Sequence, residues 1–315
     1  MTTAPIAAST KPSLASRLKK RLPRWRALRQ TRGAPARSTM GGGVCFMIVP
    51  VATASDPRLA PYAAVKDRDL ARRDGRFIVE GRVTLQRLIE ASRFPVESLF
   101  LSETRVKPLA SLLWKLDPNI PVYTTAQSVM DGVTGFHLHR GVLALARRSA
   151  EVGCEALIAS LSAPQLTLLA LVGLSNHDNV GACFRNAAAF GANGVVLDET
   201  SCDPLYRKSI RVSAGTALSL PFARSGDGAA LLAALKAAGI ATWALTPSGG
   251  KPIGQLTPPP RLAVVVGAEG PGLTPELMDG MLRVSIPMVE GVDSLNVAAA
   301  GAIALSHVFS KRIGG

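Results

Sequence analysis

The sequence has few aromatic residues, few cysteines and no long apolar run. Aromatic side chains make up 5% of its 315 residues. The longest apolar runs, such as residues 168–174, are far shorter than the roughly 20 residues that a membrane-spanning helix needs. The four cysteines form no CxxC pair and have no histidine at a metal-binding spacing. These absences argue against a membrane span, a zinc site and a disulfide framework, and they favour a reduced compartment.

Acidic residues are absent from positions 1–55, which carry ten lysines and arginines. The whole chain has a net charge of +14, so the remainder carries only +4 (14 − 10). Such a polycationic segment attracts phosphate backbones through counterion release. Its composition is also that of a disordered leader, of an organellar transit peptide, or of a start placed too early, with Met40 or Met47 as later starts. We expect a cytoplasmic protein, with organellar targeting by this segment as the alternative.

From residue 62 onwards, short apolar runs alternate with stretches of helical periodicity, which predicts an α/β fold. Residues 262–266 are apolar at every position, as expected of a parallel strand that is buried on both faces. The pattern predicts a parallel sheet covered by helices. We divide the chain into a disordered basic leader (1–55), a small α/β domain (56–148), a linker with a short helix (149–164) and a larger α/β domain (165–315).

Three polar segments in the second half each follow a short apolar run and open a helical stretch. They are residues 176–185 (NHDNVGACFR), 267–273 (GAEGPGL) and 286–297 (IPMVEGVDSLNV). Loops at the carboxyl ends of parallel strands are where α/β proteins bind ligands. The sequence therefore predicts that the three segments meet in one site.

The glycine-rich segment contains a carboxylate, Glu269, whose most obvious partner is Arg185 of the first segment. Its spacing is G-x-x-G-x-G, which differs from the dinucleotide pattern G-x-G-x-x-G and argues against a nucleotide-dependent oxidoreductase. Glycines allow a close approach of backbone to ligand, although a purely structural turn would also explain them.

The other two segments also have structural interpretations. Asn179 and Ser294 are candidate N-caps for the helices that follow them, a role that is compatible with function. His177 is a tempting general base, but the favoured interpretation is a solvated loop histidine. The residues around Arg207 and Lys208 would supply basic charge beside the site.

The order and spacing of the three segments resemble the signature motifs of the SpoU/TrmH family of RNA 2′-O-ribose methyltransferases, within the SPOUT superfamily. The similarity covers about residues 166–313. A weaker one, carried by residues 77–81 (FIVEG) and 139–142 (HRGV), relates residues 56–148 to the ribosomal-protein-like substrate-binding domain of such enzymes. The family usually has proline where this chain has His177, which should alter loop stiffness more than chemistry.

The resemblance implies a trefoil-knotted catalytic domain, S-adenosylmethionine as the cofactor, no metal, and a homodimer whose interface lies beside the site. It implies that Arg185 acts in catalysis as a cation that fixes a phosphate and stabilises the developing alkoxide. The residues that would orient the ribose and Arg185 are Asn179, Ser294 and Asn296, while Glu269 would hold Arg185 or its own loop. The cofactor-binding positions would be Gly267, Gly272, Ile286, Met288 and Leu295.

The expected reaction is methyl transfer to a ribose 2′-hydroxyl of RNA. A separate substrate-binding domain favours ribosomal RNA over transfer RNA. The alternative from another functional class is a catalytically silent RNA-binding or ribosome-assembly factor on the same fold. The presence of all five polar site residues argues against that alternative.

Overall fold

The computed structural model describes residues 36–40, 43–63, 74–247 and 249–314, and the side chains from Phe46 onwards within them. We call residues 36–147 the first lobe. Its elements are β1 (Ala36–Met40), β2 (Gly43–Pro50), a 3-10 turn (Pro57–Leu59), α1 (Ala60–Ala63), β3 (Arg76–Glu80), α2 (Arg82–Ala91), β4 (Val96–Ser102), α3 (Glu103–Leu113), β5 (Pro121–Thr125), α4 (Gln127–Thr134) and β6 (Val142–Arg147). A helix predicted over residues 65–73 lies outside the described residues.

We call residues 154–313 the second lobe. Its elements are α5 (Cys154–Ser160), β7 (Leu166–Leu171), α6 (His177–Ala189), β8 (Gly194–Leu197), α7 (Arg207–Val212), α8 (Thr216–Ser219), β9 (Phe222–Arg224), α9 (Gly228–Ala237), β10 (Ala241–Leu245), β11 (Lys251–Pro252), a 3-10 turn (Ile253–Gln255), β12 (Arg261–Val266), β13 (Leu282–Ser285) and α10 (Val297–Ile313).

The first lobe is built on a mixed sheet with the strand order β1-β2-β5-β4-β6-β3. Strand β3 shows how its sequence creates two buried faces. Phe77 and Val79 pack into a core on one side with α2 and α3, whereas Ile78 packs on the other side with Tyr62 and Phe100. Successive side chains of a strand point to opposite faces, so an apolar run is required where both faces are covered.

The predicted disordered leader extends too far along the chain. Strand β2 lies within it and pairs in parallel with β5, with Ile48 opposite Val122. Phe46 is buried, with 1% of its surface exposed, and Val51 is also buried. Phe46 packs into the core beside α2 and α3, and Val51 packs into the core beside Tyr62, so the chain is structured well before residue 55.

The second lobe contains a seven-stranded sheet with the order β11-β13-β10-β12-β7-β8-β9. Every neighbouring pair is parallel, as the consecutive apolar run in β12 predicts. Leu262, Val264 and Val266 point towards α6 and α10, whereas Ala263 and Val265 point towards α5 and α9. The sheet is therefore covered by helices on both faces.

Two details of the second lobe differ from the prediction. The short helix inside the predicted linker, α5, is part of the second lobe, because Cys154, Leu157 and Ile158 pack on its sheet. A helix predicted over residues 275–281 is a series of turns instead. Met278 N–H donates to the Thr274 carbonyl, but Gly280 then adopts a φ of 73° and ends the helical path.

The two lobes share buried contacts. Leu205, Ile210 and Leu218 of the second lobe pack into the apolar core of the first lobe. Buried ion pairs flank this contact, one joining Arg207 to Glu80 and one joining Arg148 to Asp203. The contact positions the first lobe beside α7.

Among the described residues, no helix has both the length and the apolar character needed to cross a membrane.

Candidate active site

The three polar segments meet at one edge of the second sheet. They follow β7, β12 and β13, and the segment after β10 joins them. These four strands are neighbours in the order β13-β10-β12-β7 and are all parallel, so their carboxyl ends lie side by side. This edge is the usual ligand-binding position in an open α/β sheet.

One chain of side-chain hydrogen bonds connects the three segments. The Asn296 amide donates from Nδ2 to Oδ1 of Asn179 over 3.0 Å. Asn179 in turn donates from Nδ2 to Oε1 of Glu269. Asn179 is 6% exposed, so both ends of its amide are satisfied in a largely dry environment. These hydrogen bonds fix the three loops relative to one another.

The helix caps differ from those predicted. Asn176, not Asn179, caps α6 and accepts a hydrogen bond from Asp178 N–H at 2.8 Å. Asn296, not Ser294, caps α10 through its Oδ1, which accepts from Ala298 N–H at 2.9 Å. Because Asn296 caps with its oxygen and donates with its nitrogen, one amide begins α10 and holds Asn179.

The glycine-rich loop after β12 folds back on itself. Gly272 N–H donates to the Ala268 carbonyl at 3.0 Å, and Gly270 and Gly272 have φ values of 86° and 68°. A Cβ on Gly267 would lie 2.5 Å from the backbone nitrogen of Leu273. The close neighbour that requires glycine at 267 is therefore the loop's own backbone.

A cavity of about 300 Å³ opens between the segments. All five predicted cofactor-binding residues line it: Gly267, Gly272, Ile286, Met288 and Leu295. Glu269, Ser294 and Asn296 line it as well. Leu295 is 38% exposed, which leaves apolar surface available to a ligand.

One side of the cavity, provided by the end of β10 and by α10, was not predicted from the sequence. Leu245, Thr246 and Pro247 follow β10, and Val297 and Ala300 belong to α10. The position of Thr246 after an apolar strand was the signal that could have found this wall. The remaining lining residues, Val266, Ala268, Gly270 and Val284, belong to the predicted loops and to the ends of their strands.

Arg185 and Asn179 lie on α6 beside the cavity and are not among its lining residues. Arg185 is exposed, and no ion pair joins it to another described residue. The predicted pairing of Arg185 with Glu269 is wrong, because Glu269 accepts from Asn179. The guanidinium of Arg185 therefore faces outward, where it can meet a bound molecule.

His177 is the first residue of α6, half-buried, rather than the solvated loop histidine that was expected. Its ring packs 4.4 Å from the ring of Tyr206, and its Nδ1 lies 3.5 Å from Sγ of Cys202. Proline is also favourable at the first position of a helix, so histidine and proline can each occupy position 177. The nearby Cys183 is buried, and burial raises the pKa of its thiol to about 12.

The basic residues that open α7 are already paired. Arg207 binds Glu80, and Lys208 binds Asp178 of α6 at 2.6 Å. The charge expected from them beside the site is therefore largely neutralised. In the ranges that the structure describes, no group of three or more His, Cys, Asp or Glu side chains is arranged to hold a metal ion.

Comparison with known proteins identifies the family. The model of the SpoU rRNA Methylase family matches residues 167–306. The chain is 41% identical over 259 residues to an uncharacterized tRNA/rRNA methyltransferase of Mycobacterium bovis, an alignment that covers 79% of this chain and 87% of the relative. The chain belongs to the SpoU methylase family.

Solved structures of RNA methyltransferases share the fold. An AdoMet-bound rRNA methyltransferase from Sinorhizobium meliloti superposes with a TM-score of 0.72 at 20% identity, covering 83% of this chain and 97% of that one. An RNA 2′-O ribose methyltransferase superposes with a TM-score of 0.70 at 24% identity, covering 84% of this chain and all of that one. Both lobes are included in coverage of this extent, so the SPOUT-type α/β fold is confirmed.

Proposed function

We propose that this protein transfers a methyl group from S-adenosylmethionine to a ribose 2′-hydroxyl of RNA. The observation that carries the proposal is the hydrogen-bonded chain from Asn296 through Asn179 to Glu269 at the rim of the cavity. It brings all three family motifs into one site, beside the exposed Arg185. The similarity to an enzyme named as an RNA 2′-O ribose methyltransferase supports this choice of acceptor.

The cavity fits the cofactor in size and chemistry. Its volume of about 300 Å³ is at the lower end of the range of small-molecule sites, roughly 300–1,000 Å³. Ile286, Leu295 and Met288 offer apolar surface for the adenine and the methionine part, while the loop that begins at Gly267 offers backbone groups. When bound, the cofactor supplies an electrophilic methyl group on a positively charged sulfur.

The residues of this chain then have to hold the ribose and stabilise charge. The ribose hydroxyl would pass its proton to solvent as its oxygen forms a bond to the methyl carbon and the carbon–sulfur bond breaks. Negative charge would therefore develop on that oxygen. A guanidinium stays protonated in proteins, which makes Arg185 suited to stabilise that oxygen and an adjacent phosphate rather than to act as a base. We expect Ser294 and Asn296, which line the cavity, to orient the ribose, and alignment of this kind supplies much of the rate.

Ribosomal RNA is the favoured substrate class over transfer RNA, because a separate first lobe adds a second surface for a large folded RNA. The relatives' names include both classes. A catalytically silent RNA-binding or ribosome-assembly factor is the alternative, and it is disfavoured because Arg185, Asn179, Glu269, Ser294 and Asn296 are all present. We also infer a cytoplasmic location from the cysteine content.

A trefoil knot and a homodimer form part of the same proposal. Strand β13 lies beyond β10, and the chain then returns through α10 to pack against α6 and β12. Ile303, Phe309 and Ile313 are exposed apolar residues of α10, and we infer that a second copy of the chain covers this helix. Sedimentation equilibrium should give twice the chain mass of 32.9 kDa, and a monomer at micromolar concentration would contradict the dimer.

Calorimetry and RNA analysis test the function directly. We expect the folded protein to bind S-adenosylmethionine and S-adenosylhomocysteine in the presence of a chelator. Mapping of methyl groups on ribose and on bases, in RNA from cells with and without the protein, should reveal one lost 2′-O-methyl group. Absence of cofactor binding would refute the methyltransferase proposal, and a lost modification on a base would refute the ribose acceptor.

A further inference from the structure

A second cavity, of about 560 Å³, lies at the junction of the two lobes. The first lobe contributes Glu80 and the loop of residues 136–140, and the second lobe contributes Arg207 and Arg211 of α7. We call it the junction cleft. Its lining residues are Glu80, Phe136, His137, Leu138, His139, Arg140, Arg207 and Arg211.

The junction cleft carries positive charge that the protein does not neutralise. Its floor contains the ion pair of Arg207 with Glu80, which is largely buried, and the Arg207 guanidinium also lies 5.6 Å from the ring centroid of Phe136. By contrast, Arg140 and Arg211 are exposed, and neither forms an ion pair within the described parts of the chain. Two free guanidinium groups from different lobes therefore face one cleft.

The local backbone holds Arg140 in this position. A Cβ on Gly81 would lie 3.0 Å from Nη1 and 3.1 Å from Cδ of Arg140, so the arginine lies across the turn between β3 and α2. Gly81 has a φ of 98°, a conformation that side chains other than glycine rarely adopt. The glycine of the FIVEG motif thus makes room for the arginine of the HRGV motif.

Asp131 fixes the loop that leads to Arg140. Its carboxylate accepts hydrogen bonds from Leu138 N–H at 3.0 Å, from His137 Nδ1 at 2.6 Å and from Gln127 Nε2 at 2.7 Å. The Leu138 and His137 bonds favour the charged carboxylate and lower the pKa of Asp131 to about 2. The Asp131 carboxylate is therefore engaged with this loop.

The second-lobe side of the cleft is joined closely to the candidate active site. Helix α7 carries Arg211 and packs against α6, which carries Arg185. A Cβ on Gly181 of α6 would lie 2.7 Å from the carbonyl oxygen of Ser209, so the two helices touch through their backbones. The ion pair between Lys208 and Asp178 fastens the same contact.

We propose that the junction cleft binds a backbone phosphate of single-stranded RNA between Arg140 and Arg211, next to the nucleotide presented to Arg185. The inference rests on the proposed function for its choice of RNA, and it adds a site that both lobes must form together. Arginine suits this task because its planar guanidinium can donate two parallel hydrogen bonds to a phosphate. Phosphate contacts of this kind set the position of the strand without reading its sequence.

Binding of a fluorescent 12-nucleotide oligouridylate to the full chain, followed by anisotropy at several salt concentrations, tests the cleft. Arg140→Ala and Arg211→Ala should each weaken binding about tenfold at low salt, and each should reduce the slope of log K against log salt by about 0.7. Lys236→Ala removes an exposed charge at the end of α9, on the opposite face of the second sheet, and should leave the slope unchanged. Thermal unfolding checks that all variants are folded.

The outcomes separate this site from the proposed function. If both arginine variants kept the wild-type affinity and salt slope, the proposed phosphate site would be overturned. It would also be overturned if Lys236→Ala reduced affinity and slope as much as the arginine variants do. Failure of the wild-type chain to bind the oligonucleotide at low salt would also overturn it. Cofactor affinity, measured in parallel, should be the same in all variants, because no cleft residue lines the cofactor cavity. Absence of cofactor binding in the wild-type chain would instead refute the methyltransferase proposal.

Discussion

Arg185 is the residue on which the proposed chemistry depends most directly. It is exposed on α6 and does not line the cofactor cavity, so its removal should not alter cofactor binding. We expect Arg185→Ala to abolish turnover while cofactor affinity stays within a few-fold of wild type. Arg185→Lys should recover little activity, because a lysine lacks the planar pair of donors. Single-turnover methylation and calorimetry measure the two quantities, and an equal loss of both would show a structural role.

A substitution at Asn179 tests the hydrogen bonds that link the three segments of the site. Asn179→Asp keeps the shape but places a carboxylate against Glu269 and removes the donor between them. Two close carboxylates raise each other's pKa in the folded state, so the folded variant binds protons more tightly than the unfolded chain. The variant should therefore be most stable at low pH and lose stability as the pH rises.

Urea unfolding at pH 5.5 and pH 8 measures this effect. At pH 8 we expect Asn179→Asp to be destabilised by about 1–3 kcal/mol, the cost of a buried carboxylate at position 179 that has lost its hydrogen bond to the exposed Glu269. Asn179→Ala serves as the control, because it removes the same bonds without adding a charge. The two variants should differ in their pH dependence, and parallel curves would show that Asn179 and Glu269 do not interact in solution.

At the scale of elements, the sequence predicts the parallel sheet well and its edges poorly. The strands β7 and β12 were predictable because burial on both faces demands continuous apolar runs. The edge strands β9 and β11 have three and two residues, too few to show any periodicity. Local sequence rules also could not predict that Asn176 caps α6 instead of Asn179. The Asn179 side chain bonds to Glu269 and Asn296, which are distant in sequence.

The contact between α6 and α7 gives a prediction for a whole element. In Gly181→Ala the new methyl would meet the backbone carbonyl of Ser209, which cannot move independently of α7. Overpacking of about 1–3 kcal/mol should exceed the gain in helix propensity of about 1 kcal/mol. We therefore expect a net loss of stability of up to about 2 kcal/mol. Turnover should also fall, because α6 carries Arg185.

Gly301→Ala is the matched control for this prediction. Gly301 is also buried in a helix, α10, but its added Cβ would have its nearest neighbours at 3.9 Å. That substitution should stabilise the protein by about 0.5–1 kcal/mol, since alanine restricts the unfolded chain more than glycine does. Thermal and urea unfolding of both variants decide the matter, and equal effects would show that the contact between α6 and α7 is loose.

For the whole molecule, the motifs predicted where the site lies, whereas the joining of the lobes required the structure. The ion pair between Glu80 and Arg207 joins two positions that are 127 residues apart, and no local sequence pattern predicts it. The same is true of the free charge on Arg140, which depends on the turn at Gly81 and on the nearness of α7. Long-range contacts of this kind make the two lobes one RNA-facing surface in the proposed function.

The positive charge of the basic N-terminal segment gives a prediction about RNA binding that can be measured. Residues 1–35 lie outside the described residues and hold nine of the ten positive charges of positions 1–55, with no acid. The deletion should remove residues 1–35 only, since a cut at residue 46 would remove half of β2.

We expect the shortened protein to bind RNA more weakly at low salt and with a smaller slope of log K against log salt. The slope should fall by roughly 0.7–0.9 for each lost phosphate contact. The methylated nucleotide should not change, because such contacts carry no sequence information. An unchanged affinity and slope would show that the segment does not contact RNA and would favour a role in targeting.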